Sequence, residues 1–183
     1  MSEKKTDISI VFYKGSFEEP ELNLLADTAA QYDLNISAYQ RSPYVQASID
    51  FFFPFIEIFL SPEIVDEIYR NAVSSGTYDM IKFLLGHVRN KFHKRPIYKV
   101  QSKGVTEETP NIQFRVGNNS LVLPVDVDFD KFKYVVDQFM ERSSQEIPDV
   151  VTYSIYCEED DSLVRKTEND IIAEECAKHR FAD

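Results

Sequence analysis

The chain has 183 residues, 43% hydrophobic and 13% aromatic with only 5 glycines, which excludes a fibrous repeat or a disordered polymer and suits a core built without disulfide or metal staples. Its formal charge of −11 argues against a general nucleic-acid binder, because phosphate contacts need an excess of Lys and Arg. That charge is uneven: Lys82 to Lys103 holds seven bases and no acid, whereas Glu141 to Asp183 holds 12 acids against 5 bases.

In chain order, MSEKKTD leads into Ile8 to Tyr13, a run too short for a signal-peptide core, so the expected location is cytoplasmic. Ile8 to Tyr13 reads as a buried strand, and Leu22, Leu25, Ala26 and Ala29 recur at helical spacing. Leu34 to Tyr39 alternates as a second strand, and Ser42-Pro43 ends it. Tyr44 to Phe53 is ambiguous between helix and strand, with a helix capped by Ser42 slightly favoured. The apolar run Phe51 to Leu60 is about half the roughly 20 residues a transmembrane helix needs, so no transmembrane segment is expected. Pro54 divides it, leaving a strand from Phe55 to Leu60. Ser61 then caps a helix with Pro62 at its first position and an inward stripe of Ile64, Ile68 and Ala72 with Val65, Tyr69 and Val73. Ser74, Ser75 and Gly76 weaken or break it, and Thr77 can cap a second run burying Ile81, Leu84, Leu85, Val88 and Phe92. Two helices or one bent helix fit equally well. Phe59, Ile68 and Leu85 are expected in the core.

Beyond Pro96, Ile97 to Gln101 reads as a strand and SKGVTEETP as a polar loop. Ile112, Phe114 and Val116 alternate, Gly117-Asn118-Asn119 tolerates positive φ, and Leu121 to Val125 returns as a hairpin. Asp128 or Asp130 opens a helix burying Phe132, Val135, Val136, Phe139 and Met140. Val150 to Cys157 and Leu163 to Lys166 suggest two further strands around an EEDDS turn. Thr167 with Asp170 caps a last helix carrying Ile171, Ile172 and Cys176. The fold class expected is α/β or α+β: a mixed sheet packed against helices, with an α/β core over residues 1–143 and an acidic strand and helix extension over 144–183 packed on it.

Reactive constellations are weak. Asp126, Asp128 and Asp130 with Asp137 have the spacing of a calcium loop, but Lys131 stands where that loop needs glycine, and helix capping explains the carboxylates better. Cys176 and His179 are two ligands where structural zinc needs four, so no metal and no cofactor is expected. Cys157 and Cys176 show no framework spacing, which favours a reduced setting and leaves a single bridge open. The isolated glycines exclude phosphate-cradling loops of the familiar kinds. Glu158 to Asp161 reads as a solvated turn.

The order strand, helix, strand, apolar segment, helix ending in HVRNKFHKR, hairpin, and helix Asp130 to Met140 resembles the effector-associated constant components, small companion domains of bacterial conflict systems. The resemblance covers about Ile8 to Met140, and the acidic extension departs from it. It implies a non-catalytic accessory protein and carries over no active residue.

The function expected is therefore a non-catalytic interaction or accessory module. Two alternatives stay open: a small enzyme assembled from scattered residues such as His87 or His93 with Tyr and Asp, and a membrane-surface protein using Phe51 to Phe55 with the basic strip. The expected contact residues are Arg89, Lys91, Lys94, Arg95 and Lys99. They would face carboxylates of a protein partner or of a second copy of the chain, an encounter that opposite charge steers.

Overall fold

A computed structural model describes residues 6–41, 56–70, 74–101 and 104–180. The ambiguous 44–53 segment, the apolar run 51–55, and Ala72 and Val73 of the expected helical stripe lie outside the described residues. Along the chain come β1 (Ile8–Tyr13), α1 (Glu19–Ala30), β2 (Ile36–Arg41), β3 (Ile56–Leu60), α2 (Pro62–Tyr69), α3 (Ser75–Phe92), β4 (Ile97–Gln101) and β5 (Gly104–Glu108). There follow β6 (Asn111–Val116), β7 (Asn119–Pro124), α4 (Phe129–Gln145), β8 (Thr152–Cys157), β9 (Ser162–Thr167) and α5 (Glu168–Arg180).

Seven strands form one mixed sheet in the order β2-β1-β3-β6-β7-β8-β9, as the sequence predicts for the fold class. Parallel pairs (β1 with β2, β3 with β6, β7 with β8) alternate with antiparallel ones (β1 with β3, β6 with β7, β8 with β9). Period-two alternation assigns the faces. Ile10, Ile58, Phe114 and Leu121 stand side by side across four strands, each 1% exposed or less. α1 to α4 bury their apolar stripes in the cluster that this face forms. The opposite face carries Glu57, Phe59, Arg115 and Tyr153, all half-buried. Phe59 is therefore not a core residue: it lies one strand position from Ile58, on the other face, with the Arg115 guanidinium 5.7 Å from its ring centre.

The helix starts follow local chemistry. Ser61 Oγ accepts the Ile64 N–H at 3.4 Å, with Pro62 directly behind it. α3 starts earlier than expected, because Ser74 and not Thr77 is its cap; Ser74 Oγ accepts the Thr77 N–H at 3.1 Å. Arg70 and Ser74 both leave helical geometry, so α2 and α3 are two helices. Asp128 caps α4 by accepting the Asp130 N–H at 3.0 Å, and the five predicted inward residues are buried.

At the β6–β7 hairpin, Val116 pairs with Asn119 and Gly117 takes φ +58. A Cβ there would stand 2.2 Å from Tyr69 Oη, which donates to the Val116 carbonyl, so glycine is required both for φ and for close approach. Residues 152–167 lengthen the same sheet, since β8 runs alongside β7 with Ser154 opposite Leu121. Thr167 and Asp170 form the predicted reciprocal cap. Of the expected inward residues of α5, only Ile171 is buried; Ile172 and Cys176 are exposed, and Cys157 and Cys176 are both free thiols. No helix among the described residues is long and apolar enough to cross a membrane.

One expected loop is structured. SKGVTEETP contains β5, which pairs antiparallel with β4 and leaves Gly104 at φ +140. This hairpin forms a two-stranded sheet of its own, apart from the seven-stranded one.

Candidate functional site

The basic end of α3 is where the sequence places its contact residues, and the structure divides them. Arg89 is buried, 6% exposed. Its Nε and Nη2 donate to the Val127 carbonyl at 3.0 and 2.6 Å, and its guanidinium carbon lies 5.3 Å from the Phe129 ring centre and 5.8 Å from that of Phe132. A cation so placed ties α3 to the start of α4. Lys91 is paired with Glu21 of α1, with its ammonium also over the Phe17 and Phe92 rings. The Glu18 backbone N–H and then Lys91 hold the Glu21 carboxyl below the usual range. Lys82, at the head of the strip, pairs with Asp137 at 2.7 Å beside the Tyr78 ring.

Among the described strip residues, Lys94 and Arg95 are the ones that face solvent. They sit on a turn with a built frame. The His93 N–H donates to the Arg89 carbonyl at 2.7 Å, ending α3, and Lys94 then takes φ +58, left-handed geometry that costs a lysine of order 1 kcal/mol. Asp126 offsets it: Oδ1 accepts the Lys94 N–H at 2.8 Å and lies 3.3 Å from His93 Nδ1. The Arg95 N–H returns to the Phe92 carbonyl at 2.9 Å. The chain is thereby turned sharply from α3 into β4. The side chain of Lys99 and the whole of Lys103 lie outside what is described.

Beyond that turn the β4–β5 hairpin presents Tyr98 and Val105, 65% and 63% exposed. Their positions share one face, because Tyr98 is opposite Glu107 and Val105 is opposite Val100. A shallow cleft of about 210 Å³ between hairpin and turn is lined by Lys94, Pro96, Glu107, Thr109 and Asp126. Lys94 and Arg95 thus stand on a fixed turn beside a hairpin that exposes Tyr98 and Val105, with Glu107 on the same face. Sequence reasoning read β4 but missed β5 and its exposed Val105, because β5 is written mostly in polar letters; the signal was Val105-Thr106, β-branched, directly after a glycine.

Of the residues named for an enzyme, one His and one Asp are brought together. His93 contacts Asp126, whereas His87 feels Glu21 and Lys91 and packs near the Phe83 ring. Burial lowers the His87 pKa, favouring the neutral imidazole. The calcium-like carboxylates are dispersed into separate tasks: Asp126 frames the turn, Asp128 caps α4, and Asp137 accepts from Tyr78 at 2.6 Å. Among the described residues no group of three or more His, Cys, Asp or Glu is placed to hold a metal. In the acidic turn, Asp160 accepts from Ser162, and Asp161 pairs with Lys131 at 2.8 Å while accepting from the Tyr156 hydroxyl. No protein-family model, curated protein or solved structure matches the chain.

Proposed function

We propose that this protein is a non-catalytic interaction module that binds an acidic protein partner through the β4–β5 hairpin and the Lys94-Arg95 turn. One observation carries the reading: among the described residues the hairpin is a two-stranded sheet of its own, and it displays Tyr98 and Val105 at 65% and 63% exposure. A lone two-stranded hairpin is marginal in water, and exposed aromatic residues beside cations are typical of surfaces that become ordered contacts when covered. The layout resemblance to companion domains of bacterial conflict systems implies the same accessory class.

The test is photo-crosslinking in cells from a reactive residue at position 98, with one at position 134 as control, Tyr134 being 62% exposed on α4. A discrete adduct is expected from position 98 only. It should disappear when Lys94→Glu and Arg95→Glu are combined, with thermal stability unchanged. Equal labelling from both positions, or no adduct from either, refutes the proposal.

A further inference from the structure

The outer strands of the seven-stranded sheet differ in the charge they carry. Outer strands expose unpaired N–H and C=O groups, and proteins guard them with charge, proline, bulges or a covering element. β9 is guarded: Arg165 is held by Glu146 at 2.6 Å, Lys166 by Glu174 at 2.6 Å, and α5 folds back against the strand. Among the described residues β2 has α1 against it, and its one charge, Arg41, stands at the end of the strand and is held by Glu57 of β3. The first five residues of β2, Ile36-Ser37-Ala38-Tyr39-Gln40, include no charge and no proline, and Ala38, Tyr39 and Gln40 are exposed.

The pattern of existing bonds shows which groups are open. The Asn35 carbonyl accepts from Asp7 and Ile8, and the Arg41 carbonyl accepts from Lys14, so the odd-numbered residues of β2 turn toward β1. In a parallel ladder alternate residues bond a given neighbour, so Ile36, Ala38 and Gln40 direct both N–H and C=O away from the sheet.

We infer that β2 is a self-pairing edge: a second copy of this chain adds its own β2 antiparallel to the first, about a two-fold axis through Ala38. Three features select that occupant. The smallest side chain of the strand falls on the axis, opposite itself, and each Tyr39 lies opposite the partner copy's small Ser37. Ile36 pairs with Gln40, giving three hydrogen-bonded pairs of two bonds, about six in all. Exposed Asp33 stands three residues before the strand and Arg41, held by Glu57 of β3, ends it, so antiparallel self-pairing sets no like charges against each other. The contact is small, so dimerisation is concentration-dependent.

Sedimentation equilibrium across a concentration series tests it. Wild type is expected to shift from monomer toward dimer. Ala38→Lys sets like charges opposite each other on the axis, and Ala38→Pro removes a donor that points away from β1; both are expected to stay monomeric with an unchanged melting temperature. Tyr98→Ser combined with Val105→Ser is expected to leave the dimer intact, which separates this edge from the hairpin surface. In wild type, amide exchange at Ile36, Ala38 and Gln40 is expected to slow with concentration. A monomer at every concentration, a dimer indifferent to both position-38 variants, or a dimer lost only in the hairpin variant would overturn the inference.

Discussion

Truncating Arg89 to alanine is the sharpest check on how the basic strip is divided. Two hydrogen bonds from a cation to one buried carbonyl are worth about 1.5–3 kcal/mol together. The faces of Phe129 and Phe132 add about 0.5–1 kcal/mol each. Water reaching the freed Val127 carbonyl and regained side-chain entropy offset part of this, so the expected net loss is about 2–4 kcal/mol. For a chain of this length that is a fall in melting temperature of about 4–16 °C. Arg95→Ala, six residues along the same strip but exposed, is expected within about 0.5 kcal/mol of wild type. Arg89→Lys keeps the charge but not the fork that meets the carbonyl twice, and falls between them. Urea unfolding at low and high salt is the assay: the Arg89 loss should persist in salt, because a buried cation is poorly screened. Equal midpoints for Arg89→Ala and Arg95→Ala would refute the assignment of Arg89 to the interior.

In the core, Ile68→Ala and Leu85→Ala are each expected to cost about 2–5 kcal/mol and Phe59→Ala about 1–2 kcal/mol, since Phe59 is half-buried on the other face; the reverse ranking in chemical denaturation would mean that the faces are misassigned. The bond to Asp161, then burial, pushes the Tyr156 phenol up to about 12. Its folded pKa lies above the ordinary value of about 10, so the stability it contributes is complete below about pH 10 and is lost as pH rises through 12. Tyrosine NMR titration should show Tyr156 ionising late and Asp161→Asn returning it toward the ordinary value; wild-type Tyr156 ionising together with exposed tyrosines would contradict the bond.

The devices legible in the sequence act within one turn of chain: Ser61-Pro62 and Thr167 with Asp170 satisfy backbone groups two or three residues away as read, and of the two candidates Asp128 and Asp130 it is Asp128 that caps α4. What escaped depends on distant partners. Lys91 meets Glu21 from 70 residues away, and Arg89 meets Val127 from 38, so no local window names either partner. Arg89 did leave a trace, for it falls four residues after Leu85 and three before Phe92, on the apolar stripe itself, where a guanidinium stem can pack. Phe59 was legible too: it shares strand parity with Glu57, and a face with a glutamate on it is rarely the core side.

The place of β3 between β1 and β6 has a consequence for the nascent chain. As synthesis proceeds, β1, β2 and β3 are complete long before Asn111–Val116 leaves the ribosome, because α2, α3 and the β4–β5 hairpin are made in between. During that interval the open side of β3, bearing Ile56 and Ile58, is a template for wrong pairing. α2 and α3, amphipathic and already emerging, are the elements able to shelter it. The interval closes when Phe114 takes its place beside Ile58.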